Sequence, residues 1–126
     1  MHTDLTRTGH FSCSNKLVNR LAENVYWSQV DNFLDIPTDC PQRDERLGWM
    51  GDAQVFAPTA SINCNTDRSF SKWMRDVAAD FSLEKGVPHV IPDILGWYSA
   101  AARSDAAVIK IIGETPQACL WDEALS

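Results

Sequence analysis

No stretch of this sequence approaches the ~20 consecutive apolar residues that a bilayer-crossing helix needs. The opening Met-His-Thr-Asp-Leu-Thr-Arg lacks the apolar core of a secretion signal, so a soluble chain is expected, with its localisation open. The four cysteines, at 13, 40, 64 and 119, form no C-x-x-C pair, which argues against a zinc site. They are too sparse for a disulfide-stapled domain, and buried reduced thiols are expected instead. A glycine-rich phosphate loop and a nucleophile elbow are both missing, and no cofactor is expected. Asp39, Asp44 and Glu45 do not match the spacing of an EF-hand calcium loop, so no metal is expected either. His2, His10 and His89 are scattered and offer no catalytic imidazole. Basic residues are in deficit, 11 Lys and Arg against 17 Asp and Glu, a net charge of −6. That balance argues against nucleic acid or an anionic membrane as partner.

What is present fits one small domain: 126 residues, 44% of them apolar. Five tryptophans in so short an acidic chain are unusual. An indole either fills a core or stacks on a flat apolar ligand face, such as that of a sugar. Leu17, Val18, Leu21, Val25 and Val30 recur at helical steps and predict an amphipathic helix of about five turns, with Ser14 able to cap it and an end near Leu34. A second helix, largely apolar and buried, is expected from near Asp52, with Pro58 in its first turn or at a kink. A third is expected over 67–84, with Phe70, Trp73, Met74, Val77, Ala78 and Phe81 on one face and Gly86 as its stop. Residues 87–92, with two prolines, read as extended, and 100–112 as a fourth helix. Trp27 and Trp73 fall within helices and are expected in the core. The pattern of helix, loop and helix suggests stacked helical hairpins.

Residues 39–52 stand apart. Asp-Cys-Pro-Gln-Arg-Asp-Glu-Arg-Leu-Gly-Trp-Met-Gly-Asp packs four carboxylates, two arginines and a tryptophan between helix breakers. Cleaving a glycosidic bond takes one carboxyl to protonate the leaving oxygen and a base or nucleophile on the other face of the sugar. Asp44 and Glu45 are both candidates for the acid, with Asp39 and Asp52 nearby. Arg43 and Arg46 can hold carboxylates or donate in pairs to hydroxyls. A solvated ion-pair loop would use the same residue types. Trp49, flanked by glycine and outside any periodic apolar face, fits that bland reading least.

The run from Asn32 to Gln54 resembles the catalytic domain of bacterial α-L-rhamnosidases. The likeness extends to Thr8–Asn15, Phe56–Ala60 and Val87–Asp93, and covers about residues 3–110. It implies an all-α fold, a partial (α/α)6 barrel of the six-hairpin glycosidase type with only the first helical hairpins present. It implies that residues 1–126 are the N-terminal part of one catalytic domain. It implies hydrolysis of terminal α-L-rhamnosyl bonds with inversion, and rhamnose-containing glycosides or polysaccharides as partners. By the resemblance Glu45 is the general acid, Asp39, Arg43 and Asp52 hold the sugar hydroxyls, and Trp49 forms part of the sugar wall. Asp44 becomes structural. The family's general base is a glutamate that no residue here matches, and Arg103 and Ser104 stand where the family usually carries tryptophan and glycine. A second expectation is a catalytically inactive helical sugar-binding or structural remnant, self-associating through uncovered faces such as the Phe70–Phe81 stripe.

Overall fold

A computed structural model describes residues 4–83 and 86–96. The proposed fourth helix, Trp97, Trp121 and Cys119 lie outside the described residues. Among the described residues, three helices make up the scaffold: α1 (Lys16–Asn32), α2 (Met50–Asn63) and α3 (Asp67–Asp80). Between α1 and α2 two-residue strands, β1 (Phe33–Leu34) and β2 (Ile36–Pro37), pair antiparallel around Asp35. The all-α expectation therefore holds in outline, with one minimal hairpin that hydrophobic periodicity could not reveal.

Helix α1 starts one residue later than Ser14 would place it. Asn15 is the cap, its Oδ1 accepting the Leu17 N–H at 2.9 Å. Only the last turns of α1 reach the core. Val30 and Gln29 are buried, whereas Leu17 is 81%, Leu21 60% and Trp27 56% exposed. The expectation of a core Trp27 is thus corrected: periodicity put it on a helix but could not say that a partner would cover it. Gln29 is satisfied across helices, donating to the Ala60 carbonyl at 3.1 Å and accepting from Asn63 Nδ2 at 3.1 Å.

Helix α2 is apolar on two faces. Met50, Ala53, Ala57 and Ala60 are buried, while Val55 and Ile62 on the opposite side are 81% and 71% exposed. The expectation that this largely apolar helix is buried is corrected to burial on one face. Pro58 sits inside the helix, on its exposed side, rather than in the first turn. Small α2 side chains share one core cluster with Phe70, Trp73, Met74 and Val77 of α3. The α3 stripe expected to lie uncovered is therefore covered over Phe70, Trp73, Met74 and Val77, Trp73 completely, while Ala78 and the half-exposed Phe81 at its end stay open. Helix α3 also ends earlier than expected, at Asp80, with Phe81 already extended. Gly86 (φ 84) serves a different turn, exchanging backbone hydrogen bonds with Ser82 at 2.7 and 3.1 Å.

Two segments without regular structure clamp this scaffold. Near the N-terminus, Thr8 and Gly9 donate to the Asn63 carbonyl and Asn65 donates to Thr6, which ties the lead-in segment to the end of α2. Residues 89–91 run beside residues 48–50, with Trp49 bridged to Val90. Met50 donates to the His89 carbonyl at 2.9 Å and Ile91 to the Gly48 carbonyl at 2.9 Å. This second clamp sets the height and direction of the acidic loop above α2.

Candidate active site

The acidic loop is closed at its base by one residue pair. Asp39 donates its backbone N–H to the Leu47 carbonyl at 3.0 Å, and the Leu47 N–H returns to Asp39 Oδ1 at 3.0 Å. Inside that closure, Arg43 N–H reaches the Cys40 carbonyl at 3.2 Å and Arg46 Nη2 the Pro41 carbonyl at 3.1 Å. Cys40 (φ 43) and Arg46 (φ 48) both hold left-handed backbone, as does Asp35 (φ 72) just before the loop. Non-glycine residues adopt that region at a cost, and only where surrounding contacts impose it.

The five predicted site residues fall into two groups. Glu45, Arg43 and Trp49 form one: Arg43 Nη2 pairs with Glu45 Oε2, and Trp49 Nε1 donates to Glu45 Oε1 at 3.2 Å. Glu45 is about a third exposed and Arg43 mostly exposed. Asp39 and Asp52 form the other, lining one side of a cavity of about 380 Å³ bounded also by Asn32, Cys40, Pro41 and Gln42. Asp52 is exposed in the first turn of α2, where unpaired N–H groups favour a carboxylate. It does not cap the helix. The N-cap position is Trp49, with no side-chain cap, and Asp52 has no side-chain partner among the described residues. Asp44, expected to be structural, is exposed and likewise has no partner there.

The residue that sequence reasoning missed is Cys40, which joins the two groups. One ligand-type atom each from Asp39, Cys40 and Glu45 lies within 4.8 Å of the others. The Asp39 carboxylate, accepting from the thiol, pushes Cys40 above the usual thiol range, and burial pushes the same way while Arg43 opposes. Among the described residues, this cluster has a donor set that could hold a metal ion. Both Glu45 oxygens already accept from Arg43 and Trp49, however, and the guanidinium supplies the positive charge that a cation would bring. Only the position of Cys40, between Asp39 and Pro41, could have signalled its place.

Carboxylates, an arginine and an indole are thus gathered on a loop at the head of a helix, on a helical scaffold. Residues 6–115 match the bacterial alpha-L-rhamnosidase 6 hairpin glycosidase domain, and the chain belongs to that family. An alpha-L-rhamnosidase of Formosa agariphila is 44% identical over 94 residues, 75% of this chain and 10% of that protein. One from Streptomyces avermitilis is 36% identical over 121 residues, 90% of this chain and 12% of its own length. Among solved structures, the alpha-L-rhamnosidase from Dictyoglumus thermophilum superposes with a TM-score of 0.80 at 39% identity, over 87% of this chain and 12% of that one. The Streptomyces avermitilis alpha-L-rhamnosidase complexed with L-rhamnose does so at 0.73 and 38%, over 77% and 9%. The chain thus spans about a tenth of the length of the relatives it matches, and its helices fit part of a helical barrel.

Proposed function

We propose that this chain contributes the acid-bearing portion of an alpha-L-rhamnosidase, which hydrolyses terminal α-L-rhamnosyl bonds of glycosides or polysaccharides with inversion. The observation that carries this is Glu45 held by two donors, Arg43 and Trp49, within the loop that matches the family. Glu45 gives its proton to the glycosidic oxygen as the C–O bond breaks and the bonding pair moves to that oxygen. A carboxylate from outside this chain takes a proton from water, whose oxygen bonds to the anomeric carbon from the opposite face. Inverting sites hold the two carboxyls about 6.5–9.5 Å apart to admit that water. Asp39, Arg43 and Asp52 grip the sugar hydroxyls, and Trp49 offers its ring to the sugar's apolar face.

The test is an assay on an alkyl rhamnoside, whose leaving oxygen needs the proton, in a domain of the relatives' full length that carries residues 1–126. Glu45→Gln is expected to lower kcat by about 10²–10⁴-fold, the usual share of general acid catalysis. Undiminished turnover would remove Glu45 from the role.

A second reading concerns the 126 residues alone, as a helical sugar-binding or structural piece without activity that pairs with a second copy of itself. It is favoured by the exposed Leu17, Leu21, Val55 and Ile62. Sedimentation should then show concentration-dependent association, weakened by Leu21→Glu with Ile62→Glu. A monomer at all concentrations would sink it.

A further inference from the structure

Trp49 does more in this structure than offer a ring. Its Nε1–H donates to Glu45 Oε1 at 3.2 Å, while Arg43 holds Oε2. These two donors are unequal fixtures. Arg43 is mostly exposed, on a long side chain with several freely turning bonds. Trp49 stands on pinned backbone: its own N–H reaches the Leu47 carbonyl, and Val90 is bridged beside it. Its neighbours Gly48 and Met50 are hydrogen-bonded to Ile91 and His89. The Ile91 carbonyl in turn accepts from Nε1 of the fully buried Trp73 at 3.3 Å.

A guanidinium only donates, so protonating Oε2, which removes the carboxylate charge and turns one acceptor site into a donor, weakens its pairing with Arg43. While Glu45 carries its proton there, Arg43 holds it less firmly, and the Trp49 N–H on Oε1 still orients the carboxyl. We infer that Trp49 is a positioning residue for the acid: its indole N–H on Oε1 keeps Glu45 in place and leaves Oε2 free to carry the transferable proton. The inference rests on the assignment of Glu45 as acid.

The discriminating variant is Trp49→Phe, which keeps an aromatic face and loses the N–H. In the full-length domain described above, two substrates are compared: an alkyl rhamnoside, whose basic leaving oxygen needs the proton, and a dinitrophenyl rhamnoside, which departs without it. Trp49→Phe is expected to lower kcat about tenfold more on the alkyl substrate than on the dinitrophenyl one, part of the ~10²–10⁴ that a general acid contributes. Equal losses on both, or a raised KM alone, would make Trp49 a sugar wall and overturn the inference. Glu45→Gln separates the two layers. If it too spares the alkyl substrate, the acid assignment fails. If it lowers that turnover while Trp49→Phe leaves it at the parent's rate, only the positioning role fails. A second measurement uses the 126-residue chain itself: the Trp49 indole N–H resonance should move upfield in Glu45→Ala, and an unmoved resonance would overturn the contact.

Discussion

Ile91 and Gly48 are so close that a methyl group on the glycine would sit 2.2 Å from the Ile91 carbonyl oxygen. Ile36 Cδ1, 3.0 Å from the same point, could swing aside, but the Ile91 carbonyl is backbone and is held by Trp73. Gly48→Ala must therefore push residues 48–50 away from 89–91. A loss of about 1–3 kcal/mol is expected, as for other overpacked sites, read from the urea midpoint. Because the displaced backbone carries Trp49, turnover should fall along with stability.

The two tryptophans expected to behave alike should diverge sharply. Trp73 is fully buried and donates to Ile91, whereas Trp27 is more than half exposed and makes an edge-to-face contact with Tyr26, ring centroids 5.4 Å apart. Trp73→Ala is expected to cost about 3–5 kcal/mol, enough to unfold a small domain of ordinary stability. Trp27→Ala should stay within about 0.5 kcal/mol of the parent. Paired thermal melts decide it, and equal losses would mean that Trp27 is covered in solution.

Arg7 and Glu23 join the lead-in segment to α1, with Nη2 to Oε1 at 2.6 Å and Nη1 to Oε2 at 3.1 Å. Arg7 also lies over the Tyr26 ring, 4.3 Å from its centre. Hydrogen bonds from Arg7 hold the Glu23 carboxyl below the usual carboxylate range, against a smaller opposing effect of burial. A depressed carboxyl contributes stability above its unfolded value and loses it as pH falls through the folded one. The gap in urea midpoint between the parent and Glu23→Gln should therefore be widest near neutrality and close as pH falls from about 7 to about 3. The partial exposure of both side chains keeps that gap small. A gap independent of pH would mean that the pair does not form.

Helix α3 could be read directly from its residues, because Phe70, Trp73, Met74 and Val77 recur at helical steps and bury together. The same logic misled over α1 and α2. Leu17 and Leu21, and Val55 and Ile62, are equally periodic, yet burial depends on a neighbour that local sequence does not specify. The hairpin at 33–37 is too short for any alternation to register. In the acidic loop, residue types announced the chemistry, but adjacent Asp44 and Glu45 look alike as text. Family resemblance chose Glu45, and the fold brings it to Arg43 and Trp49. Its anchoring through Gly48 and Ile91 joins residues 43 positions apart, which no local pattern encodes.

Asp35, Cys40 and Arg46 hold left-handed torsions within twelve positions, none of them glycine. This bears on portability. A motif whose course depended on side chains alone could be grafted by copying letters onto another loop. Here part of the shape is stored in the backbone angles of Cys40 and Arg46, which the Asp39–Leu47 closure and the 89–91 clamp hold in place. Transplanted without those two anchors, the same fourteen letters would relax to extended chain, and Glu45 would lose its bearings. The smallest transferable unit is the loop together with both of its clamps.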